Sequence, residues 1–431
     1  MPLADFAQWK AVADDAELLR RAAGVDPTRV ADLARLRKRY SAAQVALALD
    51  LLRARAKAAD KFPPPSDSII ADPAGVEQAT ARRVAEHKAR ELRARGITRV
   101  LDVGCGVGGD AAGLTAQGLE VLALDRDPTR AAMAGHNAGC ASNHADAEDL
   151  LAKCNGNAPG NPRLTGWAPS PTTALHLDPA RRNHAGRTRR LADHEPGPDT
   201  IRALRRHYQH LAIKLSPAVD LAELAETYDP DRTRLEFISD GGALVQAVLY
   251  TGRLAENLPP AGPGEDRTAT LVADDAVHQL HGPSAGGGPP LPLADARRYL
   301  FTVDPAVERA GLLGRLGLPA IHPRLGLLTA DDEASHSAHD PRRPWLTGFE
   351  LRAQLPWHPD DPRQVQTWLA RHDGGLVEVK TRGKAVDPDR AQSQLRGAGG
   401  ITYTVFVLRF DQQLRALITR RLDAKSPLGQ I

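Results

Sequence analysis

Residues 100–110 read Val-Leu-Asp-Val-Gly-Cys-Gly-Val-Gly-Gly-Asp, and this stretch decides the fold. A short apolar run breaks into four glycines within six positions, and an Ala-Ala-Gly-Leu segment follows. This order predicts a buried strand, a tight loop and the start of a helix. Glycines allow positive φ and let a ligand approach the backbone, while the free N–H groups of the helix's first turn face that ligand. The stretch therefore predicts a binding site for a nucleotide-like cofactor.

The segments beyond this glycine loop alternate between apolar strands and helices. Strand-like runs cover 119–124, 172–177 and 211–215, and each of them ends at turn-forming residues. Two later strands flank residues 240–242, Asp-Gly-Gly, a turn sequence typical of hairpins. The alternation predicts an α/β fold with a doubly wound, Rossmann-like sheet that closes in a β-hairpin.

The domain organisation follows from length and composition. A chain of 431 residues is too long for one ordinary core. We expect a helical N-terminal region (1–75), the α/β core (76–280), a linker and connecting segment (281–340) and a small α+β domain (341–431). The linker prediction rests on a Pro- and Gly-rich run at 281–290.

Composition limits the class of protein. The chain is 42% hydrophobic and 25% charged, which is typical of a globular protein, and its net charge of +3 is slight for a nucleic-acid binder. Cys105, Cys140 and Cys154 show no paired spacing, so we expect neither a metal site nor disulfides. The sequence shows no signal-peptide pattern and no membrane-spanning run, and it predicts a cytoplasmic protein.

An acid at the end of the second strand indicates an adenosine cofactor. Asp125 follows the glycine loop by about 20 residues, where its carboxylate can accept both ribose hydroxyls. Gly104, Gly106 and Gly109 fit the dinucleotide spacing G-x-G-x-x-G, whereas Gly104, Gly106 and Gly108 fit G-x-G-x-G. The glycine spacing alone does not separate NAD from S-adenosylmethionine (SAM).

Two features favour SAM. Asp102 lies two positions before the first glycine, where a carboxylate can meet a cofactor that carries an ammonium and a sulfonium instead of a pyrophosphate. The closing hairpin is also unlike most dehydrogenases. We therefore expect SAM as the cofactor.

The strand at 172–177 ends in Asp178-Pro179-Ala180-Arg181-Arg182, and here the chain resembles a family. Together with the segments at 78–80, 102–106, 125–128, 214–217, 304–307 and 379–383, this motif resembles class I SAM-dependent methyltransferases with a C-terminal THUMP-like domain. The group is distantly similar to trimethylguanosine synthases, which methylate an exocyclic guanine amine.

The resemblance implies roles for individual residues. It implies that the cofactor is held by Asp102, Gly104, Cys105, Gly106, Gly108 and Asp125, with Asp146 near the adenine amino group. It implies catalysis by Asp178 and Pro179, with Arg181 in contact with the substrate. Because true THUMP domains bind RNA, it also implies RNA as the partner.

The chemistry expected of Asp178 is direct. Methyl transfer is an in-line displacement on an activated sulfonium, so the protein mainly aligns the reactants. A carboxylate that accepts hydrogen bonds from an amine directs the nitrogen lone pair toward the methyl group and stabilises the developing positive charge. The sequence departs from the Asp/Asn-Pro-Pro-aromatic motif of amine methyltransferases, because Ala180 replaces the second proline and Arg181 the aromatic residue. An arginine can stack on a base, bind phosphate or pair with nearby acids.

The leading hypothesis is a SAM-dependent methyltransferase that acts on RNA, possibly on an exocyclic base amine. Two alternatives stay open: a non-catalytic RNA-binding protein that keeps the methyltransferase fold, and an NAD-dependent dehydrogenase. Basic residues beside the predicted cleft and in the C-terminal domain could guide an RNA backbone or could be solvated surface; they are Arg187, Arg189, Arg190, Lys380, Arg382 and Lys384. The sequence leaves the oligomeric state open.

Overall fold

The computed structural model describes residues 5–63, 65–156, 164, 166–180, 182–183, 186–187, 190–228, 233–256, 266–273, 276–283, 290–332 and 340–422. The chain divides into two compact units, Met1–Asp266 with Val272–Val277, and Arg267–Leu271 with His278–Ile431.

The first unit begins with helices. They are α1 (Phe6–Asp14), α2 (Ala16–Ala23), α3 (Val30–Arg37), α4 (Ala42–Ala56) and α5 (Pro73–Gln78). Ser41 starts α4 with a reciprocal capping box to Gln44, which satisfies two backbone donors at the helix N-terminus. Apolar side chains of these helices, including Trp9 and Leu51, form one core with Val107 and Met133 from the following α/β part. The helical region is thereby packed against the part of the unit that carries the glycine loop.

The rest of the first unit alternates helices and strands. It comprises α6 (Arg82–Ala94), β1 (Arg99–Val103), α7 (Gly109–Ala116), β2 (Glu120–Asp125), α8 (Pro128–Ala138), β3 (Ala141–His144), α9 (Ala147–Cys154), β4 (Thr173–Leu177), β5 (Arg182–Asn183), β6 (Gly186–Arg187), α10 (Pro198–His207), β7 (His210–Leu215), α11 (Leu221–Thr227), β8 (Thr233–Asp240) and β9 (Ala243–Thr251). Seven of these strands belong to one large sheet, in the order β8-β9-β7-β4-β1-β2-β3.

Strand direction within this sheet confirms the predicted fold class. β1 pairs in parallel with both β2 and β4, and β4 pairs in parallel with β7. β9 runs antiparallel to β7 and forms a hairpin with β8. The parallel strands are nearly continuous buried runs because helices cover both faces. The doubly wound α/β sheet with a terminal hairpin is present as the sequence predicts.

The second unit contains a separate sheet. Strands β10 (Arg267–Val272) and β11 (Val277–Gly282) contain the points where the chain passes between units. There follow β12 (Tyr299–Val303), α12 (Pro305–Ala310), β13 (Leu327–Ala330), β14 (Leu346–Pro356), α13 (Arg363–Arg371), β15 (Gly374–Thr381), α14 (Pro388–Leu395), β16 (Ile401–Phe410) and β17 (Gln413–Arg421). The sheet order is β13-β12-β14-β17-β16-β15.

The connecting segment expected at 281–340 has structure of its own. Within it, β12 and β13 pair with each other, and β12 also pairs with β14. Both strands are short. β12 lies between β13 and β14, and its pairing with β14, which begins 43 residues after β12 ends, is not visible in local sequence. The Pro- and Gly-rich residues 284–289 of the expected linker lie outside the described residues.

Candidate active site

A cleft of about 1100 Å³ opens where the parallel strands of the first unit end. Loops after β1, β2, β3 and β4 line it together with Lys214 of β7, as expected at the carboxyl edge of a doubly wound sheet. Seven of the residues predicted from the sequence line this cleft: Gly104, Cys105, Gly106, Asp125, Asp146, Asp178 and Pro179. Pockets for one drug-sized ligand measure about 300–1000 Å³, so the cleft is as large as the largest of these pockets.

The glycines of the loop serve two different purposes. A Cβ on Gly104 would lie 2.7 Å from the carbonyl oxygen of Asp178, and one on Gly108 would lie 2.8 Å from Cα of Ala134. Both positions have positive φ, 79° and 91°. Gly106 also has positive φ, 55°, but a Cβ there would meet no atom within 4 Å. Gly104 and Gly108 therefore serve packing, whereas Gly106 keeps the backbone open to a ligand.

Asp125 is fixed at the edge of the cleft. Its Oδ2 accepts a hydrogen bond from the backbone N–H of Gly106, and its Oδ1 accepts one from the N–H of Asp127, each at 2.9 Å. Burial raises the pKa of Asp125, and the two backbone hydrogen bonds oppose that shift. The carboxylate and the glycine loop are thus held together before any ligand arrives.

Asp146 and Cys105 complete the predicted set on this side of the cleft. Asp146 is the N-cap of α9 and forms a capping box with Asp149. Burial also raises the pKa of the Cys105 thiol well above its ordinary value, so this cysteine is a neutral apolar group in the wall. Among the residues described, no group of three or more His, Cys, Asp or Glu side chains could hold a metal ion.

Asp102 occupies a different place from the one predicted. It is 1% exposed, it is not among the residues that line the cleft, and its Oδ1 lies 2.7 Å from Nδ1 of His176. Asp102 and His176 are paired in register on β1 and β4, so their side chains lie on the same face of the sheet. Contact between Asp102 and the charged groups of the cofactor remains a prediction, because Asp102 does not line the cleft in this structure.

A buried series of polar contacts continues from His176. Nε2 of His176 lies 3.1 Å from Nζ of Lys88 on α6, and since an ammonium can only donate, Nδ1 carries the histidine proton. The Lys88 ammonium is also 2.5 Å from Oδ1 of Asp110, whose Oδ2 accepts a hydrogen bond of 2.7 Å from the Thr80 hydroxyl. Burial raises the pKa of Asp110, but the ammonium groups of Lys88 and Lys214 outweigh it and hold this pKa well below its ordinary value.

The series ends at Asp178. Nζ of Lys214 donates to Oδ2 of Asp178 at 2.7 Å and to the Thr80 hydroxyl at 3.0 Å. The Asp178 side chain is 30% exposed, and Lys214 only 10%. We call this path the buried charge chain; it runs through Asp102, His176, Lys88, Asp110, Thr80, Lys214 and Asp178. It connects the interior of the sheet to the one carboxylate expected to perform catalysis.

Sequence reasoning did not assign five members of this chain to the site; they are Thr80, Lys88, Asp110, His176 and Lys214. Lys88, His176 and Lys214 were not predicted as site residues, although each is a polar residue within an otherwise apolar or amphipathic element. A polar side chain inside a strand such as Leu-His-Leu or Ile-Lys-Leu was the available signal, because a buried polar group needs a partner.

The predicted basic residues fall into two groups. Arg181 and Arg189 lie outside the described residues, and nothing is described of the Arg187 side chain. In the second unit, Lys380 pairs with Glu378 and Arg382 with Glu308, each at 2.8 Å. These two ion pairs reduce the positive charge that the C-terminal cluster offers to a phosphate backbone.

Comparisons with known proteins agree with this architecture. A family model described as THUMP domain-like matches residues 346–421. An uncharacterized S-adenosylmethionine-dependent methyltransferase of Mycobacterium tuberculosis, found in two strains, is 30% identical over 338 residues, or 78% of this chain and 83% of that protein. The crystal structure of a presumed methyltransferase from Porphyromonas gingivalis W83 has the same fold, with a TM-score of 0.67 at 18% identity, and covers 98% of this chain and 100% of that one. Within the part of the chain that is described, every helix is too short or too polar to cross a bilayer.

Proposed function

The chain belongs to the S-adenosylmethionine-dependent methyltransferases, and from that premise we propose that it methylates an exocyclic amine of a nucleobase in RNA. SAM is the methyl donor. Membership of this family excludes the alternative of an NAD-dependent dehydrogenase. The observation that carries the proposal is the placement of Asp178. Its carboxylate is partly exposed in the cleft, and Lys214 binds one of its two oxygens.

The cofactor fits the glycine side of the cleft. The open backbone at Gly106, the fixed carboxylate of Asp125 and the first turn of α7 form a cradle for an adenosine group with a charged tail. We assign the cofactor contacts to Gly104, Cys105, Gly106 and Asp125, and Gly108 shapes the loop. Asp146 lies on the same wall, where its carboxylate suits an amino group of the adenine.

The remaining residues act on the acceptor. When bound, SAM supplies an electrophilic methyl group on a positively charged sulfur. Oδ1 of Asp178 has no hydrogen-bond partner among the described residues, so it is available to accept an N–H of the acceptor amine and to orient the nitrogen lone pair. Pro179 is buried directly after it and fixes the direction in which the chain leaves the strand.

RNA as the acceptor is supported by the C-terminal domain. The THUMP domain-like match covers 346–421, and domains of this type are associated with RNA binding. A cleft of this size also suits a base that is turned out of its stack, as enzymes that modify bases require.

The test compares Asp178→Ala and Asp178→Asn with the wild type. We expect both variants to lose transfer of labelled methyl groups from SAM to RNA taken from cells that lack this gene, while calorimetry gives the wild-type affinity for SAM. Mass spectrometry of the digested RNA identifies the methylated nucleoside. Equal loss of SAM binding would contradict the role of Asp178, and a wild type that labels no RNA would favour the non-catalytic alternative or another acceptor.

A further inference from the structure

Gln246 on β9 is a buried residue whose side-chain amide nitrogen has no hydrogen-bond partner among the described residues. The residue is 4% exposed. A buried amide without a partner is destabilising, and such groups in folded proteins commonly meet a ligand or water. The Gln246 side chain lines the same cleft as Asp178. A ligand in that cleft would supply the missing acceptor atom.

The strand register places Gln246 on the catalytic face. Lys214 on β7 is paired with Val248 on β9, and side chains alternate between the two faces of a strand. Gln246 is two residues from Val248, so it lies on the face that carries Lys214. Lys214 in turn donates to Asp178 at the end of β4, the next strand of the sheet. Asp178, Lys214 and Gln246 therefore stand on three adjacent strands and face the same space.

The separation suits a planar heterocycle. Adjacent strands are about 4.8 Å apart and a strand rises about 3.4 Å per residue, so the backbone at Gln246 lies two strands across and two residues along from that at Asp178, a separation of about 12 Å. Both residues line the cleft. A base between them can be held by a carboxylate at its amine and by an amide at another polar atom of its edge.

Three other polar residues that line the cleft already have hydrogen-bond partners. Thr80 donates to Asp110, and Lys214 donates to Asp178 and Thr80. Asp125 accepts two backbone hydrogen bonds on the cofactor side. Gln246 thus differs from these neighbours, because its amide nitrogen is left for the molecule that enters.

We propose that Gln246 is a specificity-determining residue for the methyl acceptor. Its amide N–H donates to a carbonyl oxygen or ring nitrogen of the nucleobase whose exocyclic amine is held by Asp178. This inference rests on the proposed function and extends it, since it names the feature by which the acceptor is selected. A heterocycle with an amine and a hydrogen-bond acceptor atom is accepted, and one without the acceptor atom is rejected.

The experiment uses the full chain, labelled SAM and total RNA from cells that lack this gene. Gln246→Leu removes the donor at similar volume, and Gln246→Glu keeps the shape but replaces the N–H by a carboxylate oxygen. We expect the KM for RNA to rise about 10-fold to 100-fold in both variants. The KM for SAM and the melting temperature of Gln246→Leu stay at wild-type values. Gln117→Leu, at the end of α7 and away from the cleft, is the matched control and keeps both KM values.

The outcomes separate this inference from the proposed function. If the wild type methylates RNA and both variants keep its KM for RNA, the role of Gln246 is wrong and the function stands. A parallel rise in the KM for SAM would assign Gln246 to the cofactor and overturn the inference. If the wild type methylates no RNA, the acceptor class is wrong, and the nucleobase contact of Gln246 is overturned with it.

Discussion

The ammonium of Lys214 lies 2.7 Å from Oδ2 of Asp178, and both groups are carried at the ends of neighbouring parallel strands. The register pairs Leu177 with Ile213, so the backbone of the sheet, and not a loop, sets the distance between the two charges. Thr80 accepts a second hydrogen bond from Lys214 at 3.0 Å and limits the lysine's freedom further. Asp178 is thereby presented to the cleft in one orientation, which is what alignment of an acceptor amine requires.

Replacement of Lys214 by methionine tests this orientation. We expect Lys214→Met to lower kcat for methyl transfer about 100-fold, because small displacements of an aligning group cost that much. The affinity for SAM stays unchanged in calorimetry, since Lys214 contacts the acceptor side. Single-turnover rates with saturating SAM give the measurement.

Two further variants control this experiment. Lys214→Arg keeps the positive charge and should recover part of the rate, whereas Lys10→Met removes an exposed lysine paired with Asp14 and should change nothing. An unchanged kcat together with weaker SAM binding would show that Lys214 belongs to the cofactor site instead.

Lys88 carries a buried positive charge in the interior of the first unit. Its side chain is 2% exposed and lies against Asp110, which is 8% exposed. Removal of one partner leaves a buried charge without compensation, so we expect Lys88→Met to lower the free energy of unfolding by about 3–5 kcal/mol. Urea unfolding followed by circular dichroism measures the difference.

The pH dependence of this loss has a definite sign. Lys88 is one of the groups that hold the pKa of Asp110 below its ordinary value of 3.8, so the pair stabilises the fold above that pH and the contribution is lost as pH falls through the lowered pKa. Without Lys88, less attraction opposes the effect of burial, so the pKa of Asp110 is higher than in the wild type and protonation relieves the buried charge at a higher pH. The loss of unfolding free energy in Lys88→Met should therefore become smaller as pH falls. Adding Asp110→Asn to this variant should restore part of the stability at neutral pH. If the loss of unfolding free energy does not change with pH, then lost packing, and not the uncompensated charge, explains it.

The sequence predicts the wall of the cleft that carries the glycine loop better than the wall that carries Lys214. The glycine loop and Asp125 follow local rules of strand, turn and helix, and the structure brings Asp125 to the backbone of Gly106. The buried charge chain depends on contacts between residues 74 and 88 positions apart, such as His176 with Asp102 and with Lys88. No local pattern encodes such pairings, and they become visible only when the sheet register and the position of α6 are known.

The dependence of long-range contacts on sheet register also explains why Asp102 lies in an environment that its sequence motif does not predict. The sequence motif specifies its distance from the first glycine, but not the face of the sheet to which its side chain points. That face is occupied by His176, because the two residues are partners in register across β1 and β4.

Two glycine substitutions should separate folding from cofactor binding. At Gly108 a methyl group would lie 2.8 Å from the backbone of α8, and φ is 91°, so Gly108→Ala should lower stability by several kcal/mol. At Gly106 the added methyl meets no protein atom within 4 Å, and the expected cost is only the strain of positive φ, about 1–2 kcal/mol. Gly106→Ala should nevertheless weaken SAM binding, because its methyl occupies the space of the ligand.

Thermal unfolding and calorimetry on both variants make the comparison. Gly139→Ala, which also has positive φ and open space but does not line the cleft, is the control for backbone strain without a ligand effect. If Gly106→Ala and Gly139→Ala bind SAM equally well, the open backbone at Gly106 does not face the cofactor.

Asp125 should make SAM binding sensitive to acid. Burial raises the pKa of this carboxyl above 3.8. In the proposed binding mode, the ribose hydroxyls of SAM donate hydrogen bonds to its ionised form. Binding therefore favours loss of the proton, so the affinity for SAM falls as pH decreases through the raised pKa, and protons are released on binding in that range. Calorimetry at about pH 5 and about pH 7.5, in buffers of different ionisation enthalpy, measures both effects. Asp125→Asn should bind SAM more weakly at neutral pH and release no proton, whereas Asp14→Asn, at an exposed residue of α1, should behave as the wild type. Proton release that persists in Asp125→Asn would assign the titration to another group and remove the support for a ribose contact.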